Sequence, residues 1–230
     1  MATAETRIAR AEHRWPAITA IAAALTLYAL LPSSFLPNLR FAVVAVGLLL
    51  LVPIVILNPT RLHRQTRWSR SLSVGIAVLL GLANQVAFVQ LIIELVNAQK
   101  HDGPELLLAA LQVWVTNVIA YALIYWEMDR GGPVSRRHEE RGNLPPADFR
   151  FPQDEDHDAI SEVAVRSSAA SDWSPGYLDY LYFSLSDSMA FSPTDAMPLS
   201  HRAKALMGFE AFTGFVILAL VIARAVSLLG

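Results

Sequence analysis

Ionisable and amide side chains are rare inside the apolar stretches of this 230-residue chain, and the few present are its candidates for chemistry. Glu94 is the only acid well inside the first four apolar stretches, and Glu210 lies near the start of the last one, with Arg224 toward its far end. A charge at membrane depth is costly enough to make each a functional candidate by default. Gln90, Glu94 and Asn97 fall at spacings of three and four with Ala83 and Ala87, which puts them on one helix face. Gln112, Thr116 and Asn117 precede Tyr121 and Tyr125, which stand one turn apart. The intramembrane polar candidates are therefore Gln90, Glu94, Asn117 and Glu210. The plainer role for Glu94 is an interfacial position or an interhelical bond to Gln112 or Asn117. Lys204 with Glu210, and Arg202 with Asp195, are candidate ion pairs. No hydrolase elbow, zinc-binding His pair or phosphate-binding glycine loop occurs, and there is no cysteine. The six histidines all lie in or beside polar segments, so no enzyme, metal or cofactor is expected.

The elements that must position these residues follow from composition. The chain is 54% hydrophobic and 17% charged, and its charges are clustered. Uncharged runs cover 15–39, 41–60, 71–93 and 106–126. About 18 or more such residues suffice to cross a hydrocarbon core of about 30 Å. The sequence thus predicts an all-α integral membrane protein with five transmembrane helices: 15–31, 41–57, 73–97, 105–126 and 203–229. Trp15, Trp68, Trp126 and Trp173 sit where interfacial anchors belong. Residues 31–34 lack the small-x-small pattern of a cleavage site, so the first span is expected to be retained. Thirteen Lys and Arg residues fall in the N-terminal tail, the 61–70 loop and the 127–176 segment, against two in the other short loops. That bias predicts a multi-pass protein of the plasma (inner) membrane with a cytoplasmic N-terminus. The basic 61–70 loop matches anionic headgroups of the bilayer, and nucleic acid is not an expected partner.

Four regions result: a cytoplasmic tail (1–14), a four-helix membrane domain (15–126), a polar cytoplasmic loop (127–173), and a C-terminal unit (174–230). The loop has no hydrophobic period and reads as flexible. Its acidic run 154–158 lacks the glycine and closing glutamate of a calcium loop and reads as solvated linker. Phe149-Arg150-Phe151-Pro152 is expected to dock on the membrane domain. In the C-terminal unit, Ser174-Pro175 predicts a helix start. The stretch after it, 177–191, is aromatic and apolar, contains Asp179 and Asp187, and is too short to cross. It predicts a re-entrant half-helix.

Tyr182-Phe183-Ser184-Leu185, then Asp195, Pro198, Leu206-Met207-Gly208-Phe209-Glu210-Ala211 and Ala223-Arg224, resemble the pore module of bacterial potassium channels. The resemblance covers about the last fifty residues and implies a pore helix, a filter turn and an inner helix. The whole chain also resembles a bacterial integral membrane protein family, with no assigned activity, that keeps four helices before a degenerate pore-like segment. Where the filter would read Thr-Val-Gly-Tyr-Gly-Asp, the chain reads Ala190-Phe191-Ser192-Pro193-Thr194-Asp195. Ser192 and Thr194 replace both glycines and Pro193 fixes φ, so the usual carbonyl filter is not expected. Asp187, Ser192, Thr194 and Asp195 become the ion-pathway candidates. The same four residues from Ser192 also have the form of a helix cap. The resemblance implies a homo-oligomeric, pore-loop-like protein passing monovalent cations with low or non-potassium selectivity. The alternative is a non-conducting scaffold or sensor built on a channel-like hairpin.

Overall fold

The computed structural model describes residues 12–32, 37–57, 67–97, 103–155, 158–189 and 196–229. Six helices carry the architecture: α1 (Trp15–Ala29), α2 (Pro37–Leu57), α3 (Arg67–Asn97), α4 (Gly103–Met128), α5 (Tyr177–Ser188) and α6 (His201–Leu229). Four of them, α2, α3, α4 and α6, are long and apolar enough to cross a membrane, which is the build of an all-α membrane protein. α1 has 15 residues and falls short of that length. The helices extend past the apolar runs that announce them. α3 begins six residues before Ser73 because Arg67, Trp68, Ser69 and Arg70 continue the helix beyond its apolar part. Trp68 is 81% exposed there, as an anchor would be.

α4 is the hub. Its apolar window is 67% buried, against 22% for α2 and 28% for α6. α3 lies along one side of it, α5 and α6 along another, and α1 packs across it. Because α4 is enclosed, its polar side chains must find partners on neighbouring helices. Asn84 of α3, fully buried, donates to the Val113 carbonyl and to Thr116 Oγ1, each at 2.9 Å. Gln112 donates to the Leu30 carbonyl rather than reaching for Glu94. Trp126 is buried instead of interfacial, and its indole N–H reaches the Glu12 carboxylate.

After α4 the chain reverses through Arg130, Gly131 and Gly132, all at positive φ. Arg130 is held in this left-handed conformation by the Phe149 carbonyl and the Asp154 carboxylate. Among its described residues, segment 129–176 has only short helical turns and one strand, β1 (Phe149–Arg150), yet it is well anchored. Its order comes from buried side chains, not from a hydrophobic period, which is why the sequence reads as flexible. Phe149 and Phe151 are buried against Tyr125, Tyr180 and Phe183, so the expected docking of this stretch is observed. Trp173 stacks edge-on against Phe151.

α5 starts at Tyr177, two residues beyond Pro175. The Arg137 and Arg136 side chains hold the Ser174 and Pro175 carbonyls outside the helix. The Asp179 carboxylate accepts the Gly176 N–H at 2.7 Å and serves as the cap in place of Ser174. α5 and α6 run parallel: Ser184 meets Glu210, and one turn on, Ser188 meets Gly214. The chain therefore returns to the level of the α5 start before α6 begins. There β2 (Met197–Pro198) pairs antiparallel with β1, and Leu199 donates to the Asp148 carbonyl. With 12 residues, α5 is about 18 Å long, roughly half a bilayer core.

Candidate functional site

The site lies where α4, α5 and α6 meet. Glu210, nine residues into α6, is fully buried. Tyr125 Oη donates to its Oε2 at 2.5 Å, and Ser184 Oγ contacts its Oε1. Asp187, 6% exposed, is in hydrogen-bonding contact with Glu210 from the last turn of α5. Tyr121, one turn from Tyr125, accepts from Gln85 of α3. Positions 117, 121 and 125 follow one another by single turns of α4, so Asn117 continues this stripe. Its amide is fully buried, and neither its oxygen nor its nitrogen has a partner. Asp187 Oδ2 and Ser188 Oγ are likewise buried and unpartnered.

Donors are short in this cluster. Ser184 Oγ lies within reach of both Glu210 and the Val118 carbonyl, and a hydroxyl has one proton to give. Asp187 and Glu210 present acceptor to acceptor unless one carries a proton. Among the described residues, no Lys, Arg or His is paired with either carboxyl. An isolated buried carboxylate is too costly to persist, so the arrangement calls for a proton or a cation.

A second polar layer sits above, at the end of the bundle that carries segment 129–176. Asp129 is fully buried, accepts from Tyr180 Oη at 2.5 Å and from the Asp148 N–H at 2.7 Å. Arg136, also fully buried, donates to the Trp126, Asp129 and Pro175 carbonyls and stacks over the Tyr180 ring. Glu12 accepts the Tyr177 N–H at 2.6 Å. Together these contacts fix the start of α5.

Of the residues singled out from sequence, Asp187 and Glu210 meet at this site, and Asn117 lies on α4 two turns from Tyr125. Gln90 and Glu94 do not: Gln90 lines a small crevice between α1, α2 and α3, and Glu94 is part-exposed near the end of α3. Ser192, Thr194 and Asp195 lie outside the described residues. The expected Lys204–Glu210 pair is absent; six residues apart on a helix they point to opposite sides, and Lys204 is exposed. Arg202 forks onto the buried Asp148. Ser184, Ser188, Asp129 and Arg136 carry structural weight that the sequence did not flag. The one-turn spacing of Ser184 and Ser188 within an apolar helix is the signal available for the first two.

In the acidic run, Asp154 is tied to Arg130, the Phe151 N–H and Ser168 Oγ. Burial raises this carboxyl, but the Arg130 guanidinium and the two further donors outweigh it and hold it below the usual carboxylate range. A depressed folded-state value means stability that is present above the unfolded pKa of about 3.9 and lost as pH falls through the lower folded value. Asp154→Asn is accordingly expected to cost about 1–2 kcal/mol at neutral pH. The difference from the parent should close in thermal unfolding curves as pH falls below the unfolded-state value. No set of three or more metal-ligating acids or histidines occurs among the described residues.

Comparison with family models, curated proteins and solved structures finds no match.

Proposed function

We propose that the chain is a pore-loop-like membrane protein that acts as a homo-oligomer and passes monovalent cations with little selectivity. α1 completes a set of five spans, α5 is a re-entrant half-helix, and the protein resides in the plasma (inner) membrane. The carrying observation is the parallel packing of α5 on α6, with a chain that returns to the β1 level between them. A half-helix with that course enters from one face and leaves by the same face. The face is cytoplasmic on the arginine count, and Glu12, Arg14, Arg70 and segment 129–176 all gather at that end. The order Tyr-Phe-Ser-Leu on α5 and the acid at Glu210 on α6 match the potassium-channel pore helix and inner helix, with the filter replaced. One half-helix cannot enclose a pathway, so several copies are required. Leu178 and Tyr182 of α5, and Phe209, Phe212 and Phe215 of α6, are exposed and available to lipid or to neighbouring subunits.

Reconstitution of the purified protein in proteoliposomes tests this. Potassium and sodium fluxes within about threefold of each other are expected, with the subunit number above one by mass measurement. Strong potassium selectivity, a monomer, or no flux in a preparation of intact oligomers would each sink the reading. The last outcome would favour the scaffold role, for which the rigid anchoring of segment 129–176 by Arg136 and Asp129 is the specific support.

A further inference from the structure

The geometry points to a cation site at the Asp187–Glu210 pair, in which one hard monovalent cation of the sodium class binds in exchange for one proton. It rests on the cation-passing reading for its use, although its chemistry stands on the cluster alone. Two observations are independent of the acids themselves. The Asn117 amide is completely buried, has no partner, and sits on α4 one turn from Tyr121. Ser188 Oγ is 2% exposed and unpartnered, and it lies on the α5–α6 seam one turn after the Ser184–Glu210 contact. Buried polar atoms without partners are uncommon, and a bound ion is one way to satisfy them.

The ligand follows from charge and oxygen number. The groups facing the pair are Tyr121 and Tyr125 from α4, each carboxyl from the other's helix, and the neutral Gln85 behind Tyr121 from α3. With both carboxyls protonated the cluster is neutral and Ser184 is free to donate to Val118. Loss of one proton leaves a single negative charge with no cation near it. One monovalent cation restores neutrality: two carboxylic acids plus the cation become one acid, one carboxylate and a bound cation, with one proton released. The free oxygens are those of Asp187 Oδ2, Asn117 and Ser188. Three is too few for calcium, which takes about six to eight oxygens.

The test uses the full chain in lipid nanodiscs, comparing sodium chloride with N-methyl-glucamine chloride. Sodium is expected to raise the unfolding temperature at about pH 8, with apparent affinity falling up to about tenfold per pH unit on acidification. Adding sodium to a weakly buffered sample should release about one proton per chain, read with a pH indicator. Glu210→Gln, which keeps an acceptor for Tyr125, and Asp187→Asn should each abolish both responses. Asn117→Ala should weaken sodium at least about tenfold, and it keeps the proposal testable should either carboxyl variant fail to fold. Absence of a sodium response in the parent protein, its survival in Glu210→Gln, or stronger stabilisation by calcium would overturn the site. Sodium binding without flux would sink the channel reading and leave this one standing, whereas flux without any sodium or proton response would do the reverse.

Discussion

Replacing Arg136 by methionine is expected to open segment 129–176, at a cost of about 3–5 kcal/mol. Arg136 is fully buried in a loop region, which is unusual for arginine, and its environment explains why. Its guanidinium donates to three backbone carbonyls from three places: Trp126 at the end of α4, Asp129 in the reversal, and Pro175 just before α5. The Asp129 carbonyl also accepts the Gly132 N–H at 2.9 Å, and the guanidinium ties the three places together. The ring of Tyr180 lies under the guanidinium, and the Glu12 carboxylate stands 4.0 Å away. Methionine keeps most of the volume and removes every donor, so the three carbonyls lose their guanidinium partner and Glu12 loses the cation 4.0 Å away. A loss of 3–5 kcal/mol raises the open population by roughly 150- to 5,000-fold, and proteolysis within 139–171 should accelerate accordingly. Lysine should recover only part of the loss, since a point charge cannot serve three divergent carbonyls as a planar fork does. Unchanged protease resistance in Arg136→Met would show that the segment is held by its aromatic contacts alone.

Arg136 also illustrates which parts of the molecule the sequence makes legible. Long uncharged runs mark α2, α3 and α4, and an apolar run broken by Glu210 and Arg224 marks α6, because burial in lipid or protein demands apolar side chains at nearly every position. Phe149 and Phe151 are readable as docking residues because two aromatics in a polar segment have few other uses. Glu210 is readable as a candidate because an acid inside an apolar run is expensive. What is not readable is the partner. Tyr125 and Ser184 reach Glu210 from 85 and 26 residues away, and that meeting depends on the register of three helices. Likewise Arg136 and Arg137 are adjacent basic residues of a polar segment, indistinguishable by type, and only the first is fully buried. α5 starts two residues beyond the position its sequence predicts for the same reason: Ser174-Pro175 has the local form of a helix start, but distant arginines claim its carbonyls.

Gly214 offers the second large effect, and it bears on the site directly. A Cβ at this position would stand 2.3 Å from the Ser188 carbonyl oxygen and 2.9 Å from Ser188 Oγ. The first atom is backbone at the end of α5, so no rotamer change relieves the clash; α5 must move away from α6. Glycine inside a helix otherwise weakens it by about 1 kcal/mol relative to alanine, so the close approach is what the position requires. Gly214→Val is expected to destabilise the protein by about 3 kcal/mol or more, with Gly214→Ala smaller and in the same direction. Gly208, six residues earlier on the same helix, has nothing within 4 Å of an added Cβ. Gly208→Ala should therefore be neutral or stabilising by up to about 1 kcal/mol, which separates a packing effect from helix propensity. Since Ser184 and Asp187 ride on α5, displacing its end also pulls them from Glu210. The sodium-dependent stabilisation should then fall in Gly214→Ala and persist in Gly208→Ala. Equal behaviour of the two alanine variants in unfolding and in the sodium response would mean that the α5–α6 contact does not hold the acidic pair together.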